Sequence, residues 1–132
     1  MKYALVLLVL FYASMSAAYE CEAVVSHLET IITKTTQDVE EILKSLPQPP
    51  TCSDTKKLGG DYGENVYLTL YQNNCLQNPQ ANETIQLNDQ NISNGLTLMT
   101  INRCNPEYLK EMGTQILASL KSQKDILAHL LP

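Results

Sequence analysis

Apolar and polar positions divide the chain into two long helix-patterned stretches with a longer, more polar middle between them. In the last stretch, apolar side chains recur at Leu109, Met112, Ile116, Leu117, Leu120, Leu127, Leu130 and Leu131, the three-to-four spacing of one helix face. Lys110, Glu111, Gln115, Lys121, Ser122 and Asp125 fall largely on the other side. Asn105 suits the N-cap, Pro106 the first helical position, and Glu107 the positive end of the helix dipole. The earlier stretch, Glu22 to Leu46, repeats Val24, Val25, Leu28, Ile31, Ile32, Thr35, Val39, Ile42, Leu43 and Leu46 in the same way. Thr33, Thr35 and Thr36 lower helix propensity in its middle, and Pro47 stops it. Each helix is about 25 residues, or roughly 37 Å at 1.5 Å per residue. Matched lengths and apolar stripes predict that the two pack together as the core.

The middle reads differently. Thr51 to Gly63 carries Lys56-Lys57, Gly59-Gly60 and Gly63 and predicts a loop; no strand precedes the glycines and no P-loop Lys-Ser or Lys-Thr follows them. From Asn65 to Gln72, Val66, Leu68 and Leu70 alternate with Tyr67, Thr69 and Tyr71, which favours a strand. A short helix is the alternative, because Tyr62, Val66 and Leu70 also fall at i, i+4, i+8. Asn73 to Asn82, with Pro79, predicts a loop. Thr84 to Asn88 and Leu96 to Asn102 are further strand candidates, joined as a hairpin by the Asn94-Gly95 turn signal. The expected fold is therefore α+β: two long amphipathic helices on a small antiparallel sheet of two or three strands. The alternative is an all-α short four-helix bundle with Tyr62 to Leu76 and Ile92 to Arg103 as short middle helices.

The first residues change the setting. Lys2, the apolar run Tyr3 to Ala13 and the small residues Ser16-Ala17-Ala18 predict a secretory signal peptide over 1–18. A single domain over 19–132 follows. The apolar run is shorter than the roughly 20 residues of a membrane span, so no membrane insertion is expected. Without Lys2 the balance is 8 basic against 14 acidic residues, a formal charge of −6. That argues against nucleic acid, whose phosphates need a basic face, and against adhesion to anionic membranes.

Cys21, Cys52, Cys75 and Cys104 all lie in the mature part. An even count in a short secreted chain predicts two disulfides. Intervals of 30, 22 and 28 residues, with no C-x-x-C pair, do not suit zinc. If the long helices are antiparallel, the end of the first lies near the start of the second, which favours Cys52–Cys104 and leaves Cys21–Cys75. Asn82-Glu83-Thr84 and Asn91-Ile92-Ser93 are N-glycosylation sequons.

Candidate chemistry is sparse. His27 and His129 are the two histidines; they flank the apolar stripes and predict boundary positions rather than a metal or pH site. Asp89-x-Asn91-x-Ser93-Asn94-Gly95 fails as a calcium loop, because its glycine comes one residue late and Thr100 replaces the closing acidic ligand. The usual hydrolase, kinase, dinucleotide and zinc-protease motifs are absent, so no catalytic residue, cofactor or metal is expected. Tyr67 and Tyr71, with Thr69 between them, form the candidate binding surface, since tyrosine is enriched in recognition sites. Alternatively these rings cover the outer face of the sheet or join the core. Together these features predict a secreted, non-enzymatic factor with an extracellular protein partner: a signalling ligand, effector or inhibitor. A secreted carrier of a small apolar ligand is the alternative.

Overall fold

The computed structural model describes residues 2–48, 58, 62 and 65–130, with side chains from Glu20 onward. It corrects the α+β expectation: four helices form, α1 (Lys2–Ser45), α2 (Val66–Gln72), α3 (Pro79–Ile101) and α4 (Pro106–Ala128), and no strand occurs among the described residues. The all-α alternative is the right class, with a longer third helix than it expected.

α4 is the middle of the packing, running against both α1 and α3. Gly113 meets Leu43 while Lys124 bonds Thr33, so α1 and α4 are antiparallel. Gly95 meets Ile116 while Asn88 bonds Ser122, so α3 and α4 are antiparallel too. α4 starts on Asn105, whose side chain accepts from Tyr108 N at 3.1 Å, with Pro106 at its first position. Its stripe buries Leu109, Ile116, Leu120 and Leu127. Leu131 lies outside the described residues. In α1, Leu28, Ile32 and Val39 are fully buried. The threonines do not break that helix. Thr35 and Thr36 donate back to the carbonyls of Ile31 and Ile32 at 2.9 and 2.7 Å, which satisfies the hydroxyls without leaving the helical backbone.

The two strand expectations on either side of Asn94-Gly95 fail for one reason. Asn78 caps a helix there, its side chain accepting from Gln80 N and Ala81 N, and Pro79 opens the first turn. From Pro79 onward, buried residues recur at Ile85, Asn88, Asp89, Ile92, Gly95, Leu96 and Met99, which is helical period with polar members. Gly95 makes no turn. A Cβ there would lie 2.6 Å from Ile116 Cγ1 and Cδ1, so the missing side chain lets α3 and α4 approach closely. Ile116 is 2% exposed and would have to shift to admit it. Gly95→Ala is therefore expected to lower stability by up to about 2 kcal/mol: overpacking costs about 1–3 kcal/mol and the gain in helix propensity returns about 1. Gly113→Ala meets only the outer part of half-buried Leu43 and should be near neutral. Urea midpoints of the two variants, at unchanged slope, check the contrast.

The strand expected over Asn65 to Gln72 is corrected to α2, and the i, i+4, i+8 reading is the one that holds: Tyr62, Val66 and Leu70 are all buried. Asn65 caps α2 by accepting from Leu68 N at 3.0 Å. The helix ends in a Schellman arrangement. Asn74 takes the left-handed conformation (φ 56°), its N–H donates to Tyr71 O, and Cys75 N donates to Leu70 O at 2.9 Å. That turn delivers Cys75 to α1, where it forms a disulfide with Cys21 (Cα–Cα 5.5 Å). Cys104 is also disulfide-bonded; Cys52, and with it the expected Cys52–Cys104 pairing, lies outside the described residues. Of the loop over 51–63, Leu58 and Tyr62 are described and both are buried. Gly59, Gly60 and Gly63 lie outside the described residues. Among the described residues no helix is long and apolar enough to cross a membrane.

Candidate functional site

Two features compete for the role of a site: a buried polar network and an outer face whose helices carry one exposed charge, Glu83. The network centres on Asp89, which is 1% exposed and points inward from α3. Its Oδ1 accepts from Tyr62 Oη at 2.8 Å and from Gln123 Nε2 at 2.9 Å, and its Oδ2 accepts from Tyr67 N at 2.7 Å. Val66 N–H also bonds this carboxylate. Gln123, on α4, donates further to Ile85 O and accepts from Asn88 Nδ2, which also donates to Ser122 Oγ. Asp89 and Asn65 thus take up the N–H groups of Val66, Tyr67 and Leu68, the free donors at the start of α2. Burial pushes the Asp89 carboxyl above its ordinary range, against the hydrogen bonds from Tyr67, Tyr62, Val66 and Gln123, which favour the charged form. The Tyr62 phenol is driven up by burial and by the neighbouring Asp89.

A Tyr–Asp–Gln cluster resembles an acid–base set in composition only. Asp89 and Gln123 present almost no surface to solvent, and their hydrogen-bonding atoms are occupied by one another. The arrangement joins α2, α3, α4 and the loop residue Tyr62 into one unit. It is a fastener.

The outer face is built from α2 and α3. All five exposed large apolar side chains among the described residues lie there: Leu68 (49%), Tyr71 (62%), Leu87 (57%), Leu98 (39%) and Ile101 (72%). α2 has no charged residue, and α3 has only Glu83 and the buried Asp89. Among the helices, the other charges sit on α1 and α4. The rings of Tyr67 and Tyr71 stack with centroids 6.1 Å apart. Tyr67 and Leu87 line one shallow groove between α2 and α3, with Asn65, Gln86, Gln90 and the exposed, charged Glu83. At 100° per residue, Leu87, Leu98 and Ile101 fall within a sector of about 60° on α3.

Of the residues singled out in the sequence, Tyr71 is exposed, Tyr67 is half-buried against the core, and Thr69 is half-buried with its carbonyl accepting from Asn73. The structure adds Leu68 and Leu87 to them. Asn91 is exposed on α3; Asn82 is half-buried, with its Oδ1 buried and unpartnered. His27 and His129 are both exposed, and His129 Nδ1 lies 2.8 Å from Asp125 O. Among the described residues no group of three or more His, Cys, Asp or Glu side chains is arranged to hold a metal ion. Gln123 escaped the sequence reading; Asp89 entered it only as a rejected calcium ligand, and Tyr62 only through the i, i+4, i+8 phase with Val66 and Leu70, which placed it on the face that proves buried.

No protein-family model, no curated protein and no solved structure matches the chain.

Proposed function

We propose that this chain is a secreted, non-enzymatic protein–protein interaction factor, and that it meets its partner through the α2–α3 face. The observation that carries the reading is the segregation of Leu68, Tyr71, Leu87, Leu98 and Ile101 onto two helices that bear almost no charge, in a chain of net charge −5. Interface centres are depleted in charge and enriched in tyrosine. A disulfide holding α2 against α1 presents Tyr67 and Tyr71 on a rigid support, which limits the entropy lost on binding. The signal peptide and sequons support the extracellular setting. The apolar-carrier reading draws no support from the described grooves, which open to solvent between helices.

The test is retention of a partner from the extracellular fluid of the source tissue on immobilised protein. Wild type is compared with a Leu68→Ser, Tyr71→Ser, Leu87→Ser variant. All three side chains are exposed, so the variant should fold. If Tyr71 and Leu87 act as anchors, each worth about 2 kcal/mol, retention falls well over tenfold. Equal retention by both proteins would place the contact elsewhere.

A further inference from the structure

The C-terminal half of α3 and the facing part of α4 enclose a second groove, of about 300 Å³. That is the lower end of the range for clefts that hold small ligands, about 300–1,000 Å³, and is room for a single ring rather than a chain of them. Gly95 forms its floor, and Leu98 and Met112 supply apolar wall. Asn94, Gln115 and Ser119 supply carboxamides and a hydroxyl, and no charged side chain lines it. The mixture suits a neutral ligand with one apolar face and many hydroxyl or amide groups. Asn91, the exposed acceptor of the Asn91-Ile92-Ser93 sequon, is itself part of the groove wall.

We propose that the groove seats the first N-acetylglucosamine of a glycan attached to Asn91, so that the sugar closes the α3–α4 seam. The occupant is indicated by attachment. A sugar bonded to the wall is held at high effective concentration, so weak contacts suffice to seat it. The ring's apolar face and acetamido methyl meet Leu98 and Met112, and its amide and hydroxyls meet Asn94, Gln115 and Ser119. The rest of the glycan leaves the groove toward solvent. The groove lies along the α4 side of α3, whereas Tyr67 and Leu87 line the α2 side, so the seated sugar covers Leu98 at one end of the proposed contact face and leaves the part around Tyr67 and Leu87 free. This inference rests on the secretory reading, because attachment needs passage through a glycosylating compartment.

The full chain is secreted from cultured eukaryotic cells and collected from the medium, and part is trimmed with an endoglycosidase that leaves one N-acetylglucosamine on Asn. Melting temperatures are compared for the native, trimmed and Ser93→Ala proteins, with Thr84→Ala as the control that removes the other sequon. Trimmed protein should melt with the native form, and Ser93→Ala about 4 °C lower, the scale of one sugar's contacts in a domain of this size. Ser93 is exposed and helical, so alanine alone would raise helix propensity and push the melt the other way. Nuclear Overhauser contacts from the acetamido methyl to Leu98 or Met112 should appear in the trimmed protein. A glycan present at Asn91 without these contacts or the melting difference overturns the seat while leaving secretion intact. Secreted protein with Asn91 unmodified overturns it as well. Chain retained in the cell with its leader uncleaved removes the secretory reading and this inference together.

Discussion

Asp89→Ala is expected to remove about 3–5 kcal/mol of stability, enough to unfold much of a domain whose total is about 5–15. The substitution leaves four donors inside the protein without their acceptor: Tyr62 Oη, Gln123 Nε2 and the N–H groups of Val66 and Tyr67. Each buried donor left unmade costs about 1–3 kcal/mol, less where water enters the vacated space. Urea unfolding followed by helical circular dichroism measures the loss. Asp89→Asn keeps the shape but turns one acceptor into a donor, and should cost about 1–3 kcal/mol.

The pair also gives a pH test. Because burial raises the carboxyl of Asp89 in the folded protein, the folded state holds that proton more tightly than the unfolded chain does. The resulting contribution to stability is fully present below the unfolded value of about 3.9 and is lost as pH rises through the raised folded value. The stability of wild type minus that of Asp89→Asn should therefore be greatest below about pH 4 and decline on the alkaline side. Other carboxylates cancel in the difference. A difference that grew with pH would mean that the hydrogen bonds to the charged form outweigh burial, and the sign assigned here would be wrong.

Replacing Cys21 and Cys75 together by alanine is the second large effect. The bridge spans 54 residues, and a cross-link of that span restricts the unfolded chain by about 4 kcal/mol. The loss should not spread evenly. α2 has seven residues, too few to hold as a helix by themselves. It depends on the burial of Val66 and Leu70, the carboxylate of Asp89 and the tether at Cys75. Amide hydrogen exchange in α2 should accelerate before that of α3 and α4. Uniform acceleration would show that the bridge acts only through the unfolded chain, and an unchanged melting temperature would contradict both effects.

The long first and last helices were legible because their stripes are almost wholly aliphatic. Leu28, Ile32 and Val39 in one, and Leu109, Ile116 and Leu120 in the other, are buried at the spacing the sequence shows. The caps at Asn105 and Pro106 were legible too, since they act within one turn. α3 was not. Its inward face passes through Asn88, Asp89 and Gly95, and a local pattern that counts only apolar residues breaks there into two short strands and a turn. These polar residues are inward because Gln123 comes from α4 and Tyr62 from the loop before α2 to satisfy them. Gly95 is inward because Ile116 needs the space.

The candidate contact face divides in the same way. Tyr67 and Tyr71 were visible as the aromatic pair of the middle segment, but as residues of a strand they belonged to one sheet face, whereas on α2 they stack. Leu87, far off in sequence, becomes part of their surface only when α3 is a continuous helix beside α2. The sequence by itself determined which residues seek burial along the N- and C-terminal helices, where the first one ends and where the last one begins, because period, caps and proline act over a few residues; α1 starts at Lys2 rather than at the expected Glu22. Tertiary structure decided where the polar residues of the middle go. A buried carboxylate or carboxamide is stable only beside partners that the chain brings from tens of residues away.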